Sequence, residues 1–179
     1  MAQGRTLFWR FNWYEYRLRY NCLRGGIVPY GYDPSSNEYY YLLAIDEKSG
    51  QYTDFGGGIK RYEIPYLGAL RELSEESIML YSDLVINPLD VVVFNDSVFT
   101  IFVYDRRVRI DPNFRDDIVK EFDNRRNALY NNPIYPRTWF ENSCIRWITY
   151  DELVDINPTC VYDPFYTLTR IYVSEIIHR

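Results

Sequence analysis

Histidine is nearly missing from this chain: of its 179 residues only His178, beside the C-terminal residue, is one. Nucleophilic catalysis of the Ser-His-Asp or Cys-His kind needs an imidazole to take the nucleophile's proton, so neither is expected. Cysteine is scarce too. Cys22, Cys144 and Cys160 are odd in number and far apart, which suits neither a disulfide framework nor a thiolate zinc site and fits a reducing compartment. Long apolar runs are also lacking: the longest, Tyr39 to Ile45, is far short of the ~18 residues of a membrane helix. The N-terminus alternates arginine with aromatics where a secretory signal would have an apolar stretch. An intracellular, cytoplasmic protein without membrane association is expected. Its chemistry must rest on carboxylates, arginines, tyrosines or a metal held by oxygen.

What is present supports a packed core. Forty-seven per cent of the residues are apolar and 25% charged, and the length suits one domain over residues 1–179. The net charge of −5 is uneven. An arm of about residues 1–25 carries Arg5, Arg10, Arg17, Arg19 and Arg24 against Glu15 alone, so +4 there leaves −9 for the rest. Phe8, Trp9, Phe11, Trp13, Tyr14 and Tyr16 are interleaved with those cations. Guanidinium pairs with phosphate and rings stack on bases, so the arm suits a nucleotide or RNA. It equally suits an amphipathic edge strand with core aromatics and solvated arginines.

The apolar pattern predicts strands at residues 19–31 and Tyr39 to Asp46, separated by the turn chemistry of Asp33-Pro34-Ser35-Ser36-Asn37. A second turn at Glu47 to Gly50, an extended segment to Phe55 and a glycine triplet follow, then a helix from about Ile64 to Ile78. Strands are expected at Val91 to Phe94 and Val98 to Val108, joined as a hairpin at Asn95-Asp96. Asp111-Pro112 reads as a helix start, with Phe114, Ile118 and Phe122 recurring behind it to about Leu129. A Pro- and Asn-rich loop leads to a strand at Cys144 to Tyr150, and Asp163-Pro164 opens a last helix. Strands interrupted by helices imply a mixed sheet with helices packed on it.

The informative stretch runs from Gly56-Gly57-Gly58 through Glu63 to Arg71-Glu72-Leu73-Ser74-Glu75-Glu76-Ser77-Ile78-Met79. Glu72, Glu75 and Glu76 stand at i, i+3 and i+4 and share one helical face. Like charges at those spacings repel by a few tenths of a kcal/mol per pair. Such a face is either simply solvated or holds a hard divalent cation on oxygen ligands, as Mg²⁺ and Mn²⁺ prefer. Arg71 is placed to steady one carboxylate, with Glu75 at i+4 the natural partner.

This stretch resembles the box of the Nudix hydrolase family: Gly, five residues, Glu, seven residues, Arg-Glu, an aliphatic, any residue, Glu-Glu, any residue, Gly, an aliphatic. Gly57, Glu63, Arg71, Glu72, Leu73, Glu75, Glu76 and Met79 fall in register, a match with chance odds on the order of 10⁻⁵. Ile78 replaces the second box glycine. A β-branched residue disfavours the left-handed conformation that glycine supplies there, so the helix is expected to run on or close differently.

The resemblance implies an α/β/α sandwich with a mixed central sheet and helices on both faces, carrying a helical insert at about residues 110–138. It also implies a metal-dependent hydrolase of phosphoanhydrides. Glu72, Glu75 and Glu76 would hold Mg²⁺ or Mn²⁺ with the Gly56 carbonyl, while Glu63 and Arg71 orient that set. Gly57 and Gly58 would let the backbone bend close to the site. Glu141, before the last strand, would be a further ligand or general base, with Asp116, Asp117 and Glu121 as weaker rivals. Arg137, Arg146 and Trp139 nearby would contact substrate.

The implied substrate is a nucleoside diphosphate linked to another group. The arm, the Arg106-Arg107-Arg109 cluster and Arg115, Lys120, Arg125 and Arg126 would also suit a polyanion, as in capped RNA or a diphosphoinositol polyphosphate. A non-catalytic nucleotide-binding domain is the alternative of another class, though such relatives tend to lose the helix glutamates kept here.

Overall fold

A computed structural model describes residues 7–10, 22–87, 90–95 and 97–160. One eight-stranded mixed sheet organises them. Its strands are β1 (Leu7–Arg10), β2 (Arg24–Asp33), β3 (Glu38–Asp46), β4 (Tyr52–Thr53), β5 (Phe55–Gly58), β6 (Val91–Asn95), β7 (Val98–Tyr104) and β8 (Asn142–Thr149). The spatial order is β1-β6-β7-β2-β3-β4, with β5 paired to β2 and β8 to β3.

Strand β2 is the pivot. It runs parallel to β7 along its length, while its first half pairs antiparallel with β5 and its second half with β3. The β2–β3 turn closes where Asp33 accepts from the Ser35 N–H at 2.8 Å and Asn37 takes a φ of +60°, a conformation asparagine tolerates. The register Asn95↔Val98 bears out the hairpin between β6 and β7.

Alternate residues along the strands feed opposite faces. Ile27, Leu42, Ala44, Phe99 and Ile101 lie on one side with Ala69 and Leu73 of helix α1 (Pro65–Glu76). Ile118 and Phe122 of helix α3 (Phe114–Leu129) join them, so this helix packs into the main core. Val28, Tyr41, Leu43 and Phe102 lie on the other side with Leu153 of helix α4 (Tyr150–Asp155). Helices thus cover both faces, the α/β/α sandwich expected.

Several boundaries differ from expectation for local reasons. The first interior strand is Arg24–Asp33, and the glycine triplet lies within strand β5. Strand β7 stops at Tyr104 because Asp105 donates its N–H to the Tyr30 carbonyl and then accepts from Arg107, opening the short helix α2 (Arg107–Ile110). Helix α3 starts at Phe114, two residues after Pro112, with Asp111 accepting from the Asn113 N–H. Helix α4 was not anticipated, although Thr149 and Glu152 form a complete capping box. The expected helix after Asp163 and most of the arm lie outside the described residues. Residues 7–10 of the arm form edge strand β1 against β6.

The exit of α1 is the clearest departure. With Ser77 as C-cap, the Ile78 N–H donates to the Glu75 carbonyl at 3.0 Å and the Met79 N–H to Ser74 at 2.7 Å. That is a Schellman closure, the glycine geometry. Ile78 and Met79 both have positive φ, +53° and +65°. The expectation that isoleucine would refuse this conformation fails because its side chain is 1% exposed in the core. Burial of ~2 kcal/mol offsets the ~1–2 kcal/mol of left-handed strain.

Candidate active site

Strand β5 and helix α1 meet at a small number of contacts that fix the site. The Gly56 N–H, on the side of β5 turned away from β2, donates to Glu76 Oε2 at 2.9 Å. A Cβ on Gly56 would meet the Gly26 Cα at 2.5 Å, and one on Gly57 would meet the Glu72 carboxyl carbon at 2.6 Å. Both glycines are therefore fixed by close approach, to the neighbouring strand and to the helix carboxylate.

Arg71 forms the expected ion pair with Glu75, at 3.6 Å, and makes shorter hydrogen bonds to other groups. Its Nε and Nη2 donate to the two oxygens of Glu63 at 2.9 and 3.0 Å, Nη1 to Glu72 at 2.6 Å, and Nη2 to the Gly58 carbonyl at 3.0 Å. Glu63 and Glu72 are thus held by hydrogen bonds, and Glu75 by the longer ion pair alone. The planar guanidinium matches a carboxylate two-pronged, so Glu63 takes the better geometry. The Arg71 hydrogen bonds hold the Glu63 carboxyl below its ordinary range.

Two of the helix carboxylates are raised by their surroundings. Burial, then the charges of Asp54 and Glu72, push Glu76 well above the ordinary carboxylate range, against Arg24 and the Gly56 N–H. Burial also raises Glu72, with Arg71 opposing and Glu75 and Glu141 adding to the rise. Among the described residues no three acidic, histidine or cysteine side chains close into a ligand cage. Glu72 rests on Arg71 and Glu76 on Gly56. The donors are nevertheless all oxygen, anionic and mutually repelling, a set whose charge a hard divalent ion neutralises.

Glu76 and Glu141 line one cavity of about 480 Å³ together with Arg24, Thr53, Gly56, Gly57, Gly58 and Asn142. Glu141 is held there by backbone: its carbonyl accepts from the Glu47 N–H at 2.7 Å, and Arg126 bridges Glu47 and the Asn142 carbonyl. Arg137, Trp139 and Arg146 are not among the residues lining this cavity. Arg137 donates to the Tyr130 carbonyl and Trp139 packs on Tyr135. Arg146 faces a separate cleft with Arg115, Asp116, Lys120 and Trp147. Asp117 and Glu121 pair with Lys120 and Arg125 on the surface of α3.

Sequence reading missed Asp54. It is fully buried and accepts from Arg24 at 2.5 and 3.2 Å and from the Thr100 hydroxyl at 2.6 Å, while Arg24 also donates to the Gly56 carbonyl at 3.1 Å. Arg24, counted in the basic arm, is thus a wall of the cavity. The available signal was an aspartate lodged between strand residues Thr53 and Phe55.

No protein-family model and no curated protein sequence matches the chain. Solved structures do. The C. elegans Ap4A hydrolase, as a binary complex, aligns with a TM-score of 0.51 at 15% identity over 87% of this chain and 98% of its own. RenU, a Nudix hydrolase of M. smegmatis, aligns with a TM-score of 0.51 at 13% identity over 90% of this chain and 94% of its own. At such identities the likeness is one of fold.

Proposed function

From a chain that has the fold of the Nudix hydrolases, we propose a metal-dependent hydrolase of a phosphoanhydride bond in a nucleoside diphosphate linked to another group. The observation that carries the reading is the Gly56 N–H to Glu76 bond. It brings the glycine strand and the last glutamate of the box to one cavity, in the register the box requires. Glu72, Glu75, Glu76 and the Gly56 carbonyl are the groups that would hold Mg²⁺ or Mn²⁺, with Glu141 on the wall of the same cavity as Glu76 and Gly56 a further donor. When bound, such an ion would supply charge neutralisation at the diphosphate and a more acidic water.

The chain's own residues supply the rest. Arg71 keeps Glu72 and Glu63 in fixed rotamers, so the carboxylate face is assembled before substrate arrives. Glu141, on the cavity wall and solvated, is the carboxylate available to take a proton from the attacking water. Asn142, whose Nδ2 lies 3.4 Å from Glu76 Oε2, steadies the buried carboxylate from the β8 side.

Capped RNA ranks second. Among the described cations proposed for a polyanion track, Arg107 pairs with Asp105, Arg115 with Asp33, Arg125 with Glu121 and Arg126 with Glu47. Paired guanidinium groups gain less from a phosphate backbone than solvated ones. The test is hydrolysis with Mg²⁺ or Mn²⁺ of nucleotide-sugars, dinucleoside polyphosphates, nucleoside triphosphates, inositol pyrophosphates and capped RNA. Turnover of a nucleoside diphosphate derivative that stops on chelation supports the reading. Inactivity on the whole panel removes it.

A further inference from the structure

The turn from β5 into α1 holds an exposed residue in a strained backbone conformation, kept there by the Glu63 carboxylate, which accepts from the Lys60 N–H at 2.9 Å and from Arg71. The Glu63 N–H donates to the Lys60 carbonyl at 3.0 Å, and Tyr62, third in this turn, has a φ of +68°. That position takes glycine or asparagine by preference, because a Cβ crowds the next carbonyl. The other non-glycine residues with positive φ among those described are Asn37, Ile78 and Met79. Asn37 is of a tolerant type, Ile78 is repaid by burial, and Met79 closes the cap of α1. Tyr62 is 89% exposed, so no such burial compensates it.

Three features locate this ring. The Arg61 guanidinium lies over it, 4.9 Å from the centroid. Tyr62 is four positions on from Gly58 of the cavity wall, a reach of at most ~14 Å. Arg71 ties the turn back to that wall by donating to both Glu63 and the Gly58 carbonyl. Strain kept at an exposed site is characteristic of ligand contacts. An exposed aromatic face within that reach of the cavity wall, with a guanidinium over it, is a surface on which a flat ring stacks.

We propose that Tyr62, backed by Arg61, is the stacking platform for the nucleobase of the ligand whose phosphates enter the Gly56–Glu76 cavity. This rests on the nucleotide reading above and specifies what recognises the base. Calorimetric titration with ADP and with inorganic pyrophosphate, both with Mg²⁺, tests it on wild-type protein, Tyr62→Phe and Tyr62→Gly. Wild type should bind ADP more tightly than pyrophosphate. Tyr62→Phe should keep ADP affinity within about twofold, and Tyr62→Gly should lose about tenfold, as loss of one stacked base predicts. Pyrophosphate affinity should be the same in all three, and Tyr62→Gly should melt higher than wild type because the strain is gone.

Unchanged ADP affinity in Tyr62→Gly, a parallel fall for pyrophosphate, or no ADP binding by wild type overturns the platform. A lower melting temperature in Tyr62→Gly overturns the strain argument beneath it. The two readings fail separately: a chain active on the hydrolysis panel with Tyr62-independent ADP binding loses only the platform. An inactive chain with Tyr62-dependent ADP binding loses only the hydrolase.

Discussion

The N–H of Gly56 donates to Oε2 of Glu76 at 2.9 Å, fastening the end of α1 to the free edge of β5. A glutamine at position 76 can accept the same bond with the same shape, so Glu76→Gln isolates the charge. Because burial already disfavours that charge, the metal-free variant should unfold at the same denaturant concentration as wild type or a higher one. Turnover with Mg²⁺ or Mn²⁺ should fall at least ~100-fold. The same loss is expected of Glu75→Gln. Full activity in Glu76→Gln would remove the carboxylate from the ligand set.

The exit of α1 offers a paired test of strain against burial. Ile78→Gly relieves a φ of +53° but empties a core position that is 1% exposed. The lost burial outweighs the relieved strain, so stability should fall by about 1–2 kcal/mol. Met79 has a similar φ of +65° and is 42% exposed, so Met79→Gly should raise stability by up to ~1 kcal/mol. Neither residue offers a ligand atom, and turnover should stay within a few-fold in both. Chemical denaturation decides: equal signs for the two variants would mean burial is not what holds Ile78.

Which parts were legible follows from the range of the interactions. The box helix could be read because its register lies within one segment and its carboxylates repeat at helical spacing. The β2–β3 turn and the β6–β7 hairpin were equally local. The Arg24–Asp54 pair joins a β2 residue to one thirty positions on, between β4 and β5, brought together only in the fold, so Arg24 was counted with the arm. The Arg71–Glu75 pair at i, i+4 was legible, whereas the two-pronged Arg71–Glu63 bond was not, since Glu63 reaches Arg71 only after the turn at 60–63 folds back. Ile78 misled because its propensity is local and its burial is tertiary. The capping box Thr149-Tyr150-Asp151-Glu152 was visible, but was subsumed in the strand before it.

Asp33 should make stability depend on acid. Its carboxyl is held below the ordinary range first by the Ser35 hydroxyl, with burial opposing, then by the Ser35 N–H and Arg115. A carboxyl that takes up its proton less readily when folded stabilises the native state fully above its unfolded value of ~4, and that gain is lost as pH falls through the depressed folded value. Asp33→Asn should cost about 2 kcal/mol at pH 7. The gap to wild type should narrow below pH ~4. Denaturation midpoints from pH 7 to pH 3 check this, and a gap independent of pH would mean the charge on Asp33 contributes nothing. Arg115, which pairs with Asp33 at 2.6 Å and lies over the Tyr40 ring at 3.6 Å, should lose stability on truncation in the same way.

The buried pair under the cavity should behave as a unit. Asp54 is fully buried, and the side chain of Arg24 is 14% exposed. Removing either partner strands the other charge in a desolvated setting. Arg24→Met and Asp54→Asn should therefore each cost about 3–5 kcal/mol. The double variant leaves no stranded charge and should be less damaged than the sum of the two, with a coupling of ~2 kcal/mol or more in a double-mutant cycle. The site should register the change as well. Arg24 donates to the Gly56 carbonyl, so the folded double variant should bind Mn²⁺ with altered affinity even where its stability recovers. Additive single-variant costs would mean that the two side chains do not depend on each other. Unaltered Mn²⁺ affinity would mean that the Gly56 carbonyl is positioned by β5 alone.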